Sequence, residues 1–141
     1  MEIVDELIID APVAAVWALT IDVVSWPTVT PTVTSVERLD DGPISVGSRA
    51  RLKQPRQMPA IWTVTRCEAE SLFEWSTRTL GMTMVGSHRL SAVDGDRCRN
   101  VLTLSATGVP ATLFGWALKG QLHTAIATEN ASFKRRAEST A

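Results

Sequence analysis

The sequence has few of the residues on which metal sites, disulfide frameworks and covalent catalysis depend. Its 141 residues include two cysteines, two histidines and no tyrosine. Cys67 and Cys98 lie far apart, and neither has the closely spaced Cys or His neighbours of a zinc site. Neither has an evident base nearby that could activate it as a nucleophile. We therefore expect two reduced thiols, no bound metal and no cofactor.

An excess of charge of one sign is also missing, which excludes some partners. Fourteen Lys and Arg stand against fifteen Asp and Glu, and the formal net charge is -1. This balance provides neither an electrostatic footprint for nucleic acid nor a basic face for anionic lipid. No glycine-rich loop that could hold phosphates precedes a predicted helix, so nucleotide binding is not indicated.

The sequence also lacks targeting and membrane signals. Three acidic residues occur among the first six, where a secretory signal needs basic residues and then an apolar run. The uncharged stretch 100–118 is long enough to cross a bilayer, but Gly108 and Pro110 interrupt it, which predicts a strand followed by a helix. We expect a cytoplasmic protein with no membrane insertion.

The apolar pattern predicts a single α+β domain over 1–141. Runs rich in β-branched residues predict strands, and Asp-Gly, Leu-Gly and proline-containing segments predict the turns between them. The strands are expected over 3–9, 28–39, 48–53, 61–68, 72–79, 82–93 and 98–107. Helices are expected over 13–19, in a brief turn from Asp22, and over 111–137. Short connections between successive strands predict an antiparallel meander that curves around the last helix.

The sequence also predicts where the two short helices after the first strand begin or end. Asp10 is expected to cap the first of them, with Pro12 early in that helix. The second is expected to stop at Trp26-Pro27, because proline disfavours a helical conformation in the residue before it.

Several segments match a known pattern in the expected order. They read IDAPVAAVW over 9–17, VGSR over 46–49, WTV over 62–64, GSHRL over 86–90 and FK over 133–134, with Asp22 and Trp26-Pro27 between the first two. Together they resemble the START-related helix-grip proteins (SRPBCC), within these the polyketide cyclase/dehydrase and lipid transport branch. The resemblance covers essentially the whole chain. It implies a curved seven-stranded antiparallel sheet around a long C-terminal helix, with a cavity for a hydrophobic small molecule, but not one activity.

Alternation along the strands indicates which side chains line that cavity. Over 82–92 the even positions are the more apolar, and pairing across the Asp94-Gly95-Asp96 turn sets His88 beside Leu102. The candidate ligand-binding residues are Trp62, Phe73, Trp75, Thr77, Met82, Met84, His88 and Leu102. Apolar walls with a few polar groups are typical of small-molecule pockets, although each tryptophan fits a solid core equally well.

His88 is the sharpest candidate for catalysis. Imidazole changes charge near neutral pH, so on an apolar wall it could transfer protons during aldol cyclisation or dehydration of a polyketide. Alternatively, it hydrogen-bonds a neighbouring group or a ligand and has no catalytic role. No carboxylate is clearly placed beside it, which argues against an efficient enzyme.

The long helix and one loop complete the expected site. Leu118, Leu122, Ile126 and Phe133 form a stripe that is predicted to face the sheet, with His123 at its edge. Arg56 and Met58, in the loop between Pro55 and Pro59, are expected at the entrance. The leading hypothesis is therefore binding or carriage of a lipid or polyketide-like molecule, and the alternative is a cyclase/dehydratase that uses His88. The sequence does not specify the ligand or the oligomeric state.

Overall fold

The sheet is a seven-stranded antiparallel meander, as the strand pattern predicts. The computed structural model describes residues 1–140, with their side chains except over 109–116. Its strands are β1 Glu2–Ile9, β2 Ser35–Arg38, β3 Arg49–Lys53, β4 Ala60–Glu68, β5 Leu72–Thr79, β6 Met82–Ala92 and β7 Cys98–Gly108. Their order across the sheet is β1-β7-β6-β5-β4-β3-β2, so the first strand pairs with the last one.

Three α-helices accompany the sheet, and the predicted α+β helix-grip architecture is confirmed. Helix α1 spans Val13–Ile21, a 3₁₀ turn spans Val23–Ser25, α2 spans Trp26–Val29 and α3 spans Val109–Ser139. Helix α3 packs mainly on β1 and β7. The inner face of the other strands is therefore only partly covered by helix. Within the described residues, no helix combines the length and hydropathy needed to cross a membrane.

Two details of the short helices differ from the prediction, although α1 begins at Val13 and the brief turn from Asp22 ends before Trp26, as expected. Pro12, with extended backbone, is the N-cap of α1, and no side chain caps that helix. The Asp10 amide instead donates to the Glu138 carboxylate on α3, at 2.8 Å. Trp26 adopts helical angles and begins α2 rather than ending a helix. The helix tolerates Pro27 because, in the first turn, the missing N–H has no partner to lose.

The predicted strand over 28–39 is too long. Only Ser35–Arg38 forms a strand, because Thr28 and Val29 complete α2 and turns occupy the residues that follow. Pro31 lacks the N–H that a sheet ladder requires. The irregular residues 30–34 bring Thr32 and Val33 to the inner side of the sheet, where both line a cavity.

Gly108 forms the corner between β7 and α3. Its φ is +117°, and a Cβ there would lie 2.4 Å from the carbonyl oxygen of Gly81. A backbone atom cannot move aside as a flexible side chain can, so glycine is required. Gly81 itself belongs to the predicted Leu80-Gly81 hairpin turn, where both residues have positive φ. Helix α3 thus starts next to the β5–β6 turn.

The C-terminal half of α3 is fixed to the N-terminal strand. Lys134 donates to the carbonyl of Ile8 at 2.9 Å and pairs with Glu138. The hydrogen bond from Lys134, with that from the Asp10 amide, lowers the pKa of Glu138 below its usual value. Phe133 is completely buried on the inner side of the same helix. These contacts fix the axial position of α3 relative to the sheet.

Candidate ligand-binding site

Two adjoining cavities lie between the sheet and α3. The outer one has a volume of about 850 Å³ and the inner one about 70 Å³. The residues that line both cavities are Thr32, Gln54, Gln57, Trp62, Met84, Leu122 and Ala125. Trp62 and Met84 stand on the sheet side of this shared boundary, and Leu122 and Ala125 on the helix side.

The outer cavity is mostly apolar and opens at the loop that joins β3 and β4. Met58 from that loop and Leu80 from the β5–β6 turn line it and are 81% and 87% exposed. Arg56 is the one ionisable group among its described lining residues. Arg56 and Met58, which the sequence analysis predicts at the entrance, therefore line the outer cavity.

Aromatic rings form the wall of the inner cavity. The ring centroids of Trp62 and Trp75 are 5.6 Å apart, those of Trp75 and Trp26 5.1 Å, and those of Trp26 and His88 5.2 Å. This wall packs directly on Gly86 of β6, where an added Cβ would make an ordinary van der Waals contact with the Trp75 indole at 3.5 Å. The remaining lining combines aliphatic side chains with the polar residues Thr32, Gln54, Gln57, Ser87, Thr103 and Glu129.

A buried His–Glu pair lies at the inner cavity. The Nε2 atom of His88 is 3.4 Å from Oε1 of Glu129, and both side chains are largely buried. The expectation that no carboxylate accompanies His88 is therefore wrong. The distance is longer than that of an ordinary N–H···O hydrogen bond.

Three buried nitrogen atoms of this wall have no hydrogen-bond partner among the residues that the structure describes. They are Nε1 of Trp26, Nε1 of Trp62 and Nδ1 of His88. A buried polar group without a partner costs about 1–3 kcal/mol, and such groups are rare in native proteins. Each of the three atoms has less than 1 Å² of accessible surface, so these side chains would have to shift before another molecule could reach the nitrogens.

The structure places most of the predicted ligand-binding residues on the cavities. Trp75, His88 and Leu102 line the inner cavity, Thr77 and Met82 line the outer one, and Trp62 and Met84 line both. The predicted pairing of His88 with Leu102 is confirmed. The Thr77 hydroxyl donates to the Ile61 carbonyl at 2.7 Å and is already satisfied within the sheet.

Phe73 differs from the other candidates. It is completely buried and lines neither of these two cavities. Its ring packs against Trp75 and Trp26, with centroid distances of 5.1 and 6.2 Å. Phe73 thus supports the aromatic wall from behind.

Glu129 and Trp26 are the main lining residues that strand alternation does not identify. Glu129 has a signal in the sequence, because the helical stripe has a spacing of seven positions between Ile126 and Phe133. A residue three positions after Ile126 and four before Phe133 lies on the same face. Trp26 comes from a four-residue helix, for which no periodicity can be measured.

The thiols do not contribute to the site. Burial raises the pKa of both Cys67 and Cys98 above the usual value, so both stay protonated near neutral pH. Over residues 1–108 and 117–140, no three His, Cys, Asp or Glu side chains are arranged to hold a metal ion.

The sequence model for "Polyketide cyclase / dehydrase and lipid transport" matches residues 1–138. The chain belongs to this family. No curated protein sequence matches it significantly. Membership of the polyketide cyclase/dehydrase and lipid transport family supports a ligand-binding or cyclase role.

Solved structures show the same fold as this family member. A hypothetical protein from Helicobacter pylori has a TM-score of 0.82 at 14% identity, covering 97% of this chain and 88% of that one. The ZhuI aromatase/cyclase from Streptomyces sp. R1128 has a TM-score of 0.79 at 19% identity, covering 98% and 93%. A START superfamily protein from Mycobacterium smegmatis has a TM-score of 0.78 at 14% identity, covering 99% of both chains. At these identities the likeness shows the fold alone.

Proposed function

We propose that this protein binds or carries a hydrophobic small molecule, lipid-like or polyketide-like, between the sheet and α3. The observation that carries the proposal is the outer cavity of about 850 Å³ with its predominantly apolar lining. Small-molecule pockets occupy about 300–1,000 Å³ and combine apolar walls with a few polar groups. Here the polar groups include Arg56 and the glutamines Gln54 and Gln57 on the outer cavity, and the His88–Glu129 pair on the inner one.

The position of the tryptophans favours a pocket over a solid core. Trp62 lines both cavities, and Trp26 and Trp75 line the inner one. All three side chains are at most 6% exposed and also belong to the core. The space that remains beside them, and not their exposure, is what supports a pocket.

The protein purified from its expression host should carry a discrete extra mass in native mass spectrometry, which denaturation releases into organic solvent. Ala125→Phe should reduce this occupancy, because Ala125 lines both cavities and a ring there fills their shared boundary. Ala117→Phe is the matched control on the same helix, at an exposed position that lines neither cavity.

Binding is tested independently of the host by titrating purified protein with fatty acids and aromatic ketones and following tryptophan fluorescence. Saturable quenching in the wild type and in Ala117→Phe, with weaker binding in Ala125→Phe, supports the proposal. If no compound quenches saturably and no extra mass appears, the cavity does not serve a small molecule.

The His88–Glu129 pair favours a second candidate function, a cyclase/dehydratase. Glu129 would hold the Nε2–H of His88, so that Nδ1 is the basic atom available to a substrate. Nδ1 takes a proton from a methylene flanked by carbonyls, and the enolate carbon forms a bond to a second carbonyl carbon. The alkoxide oxygen then takes the proton back from Nδ1. In the dehydration, Nδ1 removes the remaining proton of the same methylene carbon, a C=C bond forms as the C–O bond breaks, and the departing hydroxide takes that proton from Nδ1 and leaves as water.

His88→Ala should lower turnover of a poly-β-ketone by about 10²-fold while its affinity changes little, because the lost proton transfer acts only in the transition state. Glu129→Gln, which keeps the shape of the side chain, should lower turnover less. Thr65→Ala, on the exposed side of the sheet, is the control. Single-turnover product analysis is the measurement, and wild-type protein that returns the compound unchanged would eliminate catalysis and leave binding.

A further inference from the structure

We propose that Arg56 binds a carboxylate at the outer end of the ligand, so that the protein takes an amphipathic acid with its apolar part directed inward. This inference rests on the proposed binding function and names the chemistry of the ligand end that stays at the entrance.

Arg56 is an unpaired charge on a mostly apolar cavity. It is the one ionisable group among the described residues that line the outer cavity. Within that described part of the chain, its guanidinium has no hydrogen-bond or ion-pair partner. Five other arginines do pair with a carboxylate of the protein, namely Arg38, Arg51, Arg66, Arg97 and Arg99. The donors of Arg56 are therefore available to another molecule.

The backbone at Arg56 has a conformation that arginine does not favour. The Gln57 amide donates to the Gln54 carbonyl at 3.1 Å and closes a turn with Pro55 and Arg56 at its centre. The φ of Arg56 is +63°, in the left-handed region. Proline in the second position and a positive φ in the third are features of a type II turn, whose third position favours glycine. An arginine here departs from the local preference, and ligand binding accounts for that departure.

The turn is attached to its surroundings beside the cavity. The Lys53 ammonium donates to the Gln54 carbonyl at 2.7 Å, and the Gln54 side chain donates to the Thr32 carbonyl at 3.5 Å. Gln54, Gln57 and Thr32 all line the outer cavity as well. Arg56 thus extends from a turn that is held at the cavity on both sides.

One guanidinium matches one carboxylate. Its planar fork can donate two parallel hydrogen bonds to the two carboxylate oxygens, and the two charges cancel. A phosphate monoester carries about 1.5–2 negative charges at pH 7, and the described lining of the outer cavity contains no second cation. The cavity composition therefore favours a carboxylate over a phosphate.

The opposite orientation of an acid is unfavourable. Glu129 lines the inner cavity and is largely buried, so a ligand carboxylate at that end would lie near a like charge in a region of low polarity. At the entrance the carboxylate keeps part of its hydration. The apolar part of the ligand then lies toward Trp62 and Leu122, at the boundary of the two cavities.

Four ten-carbon compounds with different head groups test the charge: decanoate, 1-decanol, decylamine and decyl phosphate. The measured quantity is the acid preference, defined as the affinity for decanoate divided by that for decanol. Arg56→Gln should lower it about fivefold, the size expected of a partly exposed ion pair. Added salt should lower it in the wild type but not in Arg56→Gln, and decylamine should bind more tightly to the variant. Calorimetry gives the affinities.

Two further variants separate the fork and the local charge from general electrostatics. Arg56→Lys keeps the charge without the fork and should retain part of the acid preference. Arg78→Gln is the matched control, because Arg78 is exposed and lies between Thr77 and Thr79, which line the outer cavity, but itself lines neither cavity. It should leave the acid preference nearly unchanged.

Arg56→Gly separates binding from a structural role. Glycine adopts a positive φ without strain, so the melting temperature should stay the same or rise. The acid preference should nevertheless fall as in Arg56→Gln. An arginine that only stabilises the turn would show the reverse, with a lower melting temperature and an unchanged acid preference.

The orientation of the ligand is tested with brominated acids, since bromine quenches tryptophan fluorescence on contact. At saturation, 10-bromodecanoate should quench more strongly than 2-bromodecanoate, because its bromine lies at the inner end, toward Trp62. Stronger quenching by 2-bromodecanoate would place the carboxylate at the inner end and overturn the inference.

The outcomes distinguish this inference from the function on which it rests. If none of these compounds binds, the proposed binding function fails for this ligand size, and the inference fails with it. If decanoate and decanol bind but Arg56→Gln leaves the acid preference unchanged, or Arg78→Gln lowers it equally, binding stands and the inference is overturned. Decyl phosphate that binds more tightly than decanoate, and loses this advantage in Arg56→Gln, would overturn the choice of a carboxylate.

Discussion

Replacing Phe133 with alanine should lower the free energy of unfolding by about 3–5 kcal/mol, a large part of the stability of a domain of this size. Phe133 is completely buried, and its ring centroid lies 5.5 Å from that of Trp26 and 5.3 Å from that of His88. It thereby packs α3 against α2 and β6 at the point where the inner cavity ends. Alanine would leave a void that these neighbours can fill only partly.

Urea denaturation followed by tryptophan fluorescence measures this loss, and the melting temperature should fall by about 10–20 °C. Phe133→Leu should cost less than half as much, since it keeps most of the apolar contact. Val46→Ala, at a residue 64% exposed, should change the free energy of unfolding by about 0.5 kcal/mol or less. A loss below about 1 kcal/mol for Phe133→Ala would mean that α3 is not held by this contact.

Asn130→Asp is expected to have an effect of similar size without changing the shape of the side chain. Asn130 is completely buried and accepts a hydrogen bond from the Asn100 amide at 2.9 Å. Its own amide donates to the Asp5 carboxylate at 2.9 Å and to the Asp5 and Asn100 carbonyls at 3.2 Å. Aspartate would turn the donor into an acceptor and face Asp5 with a like charge, at a cost of about 3–5 kcal/mol.

The comparison with Asn130→Ala separates repulsion from lost hydrogen bonds. Alanine removes the amide without adding charge and should cost about 2–3 kcal/mol. The excess destabilisation of Asn130→Asp should shrink as the pH falls, because protonation of either carboxyl group removes the repulsion. Urea titrations of both variants at neutral and acidic pH measure this. An excess that is constant with pH would show that Asp5 is not the group that the new carboxylate opposes.

The Asn130 network also links stability to the site. Asn130 follows Glu129 in α3, and its bonds to β1 and β7 fix the rotation of the helix about its axis. The same rotation aims Glu129 at His88 on β6. Both Asn130 variants should therefore weaken ligand binding. The variant that lets α3 rotate further from its native orientation should weaken binding more.

Strand positions were predictable because their causes are local. Alternation over β5 and β6, with the positive-φ turn at Leu80-Gly81, specifies both the register and the inward face. The pairing of His88 with Leu102 follows from counting across one hairpin. The second helix through Trp26 and Pro27 was not predictable in this way, because proline fits both the first turn of a helix and the position just after a helix end.

The sequence by itself determined the fold and the inward-facing apolar set, since both depend on periodicity and turn chemistry along the chain. Only the tertiary structure decided that Glu129 lies beside His88, 41 positions earlier in the chain. It also decided that Trp26 and Trp62 share one cavity with unpartnered nitrogens, and that Phe73 lies behind it. These relations join segments that are distant in sequence, so they depend on how α2 and α3 pack against the sheet.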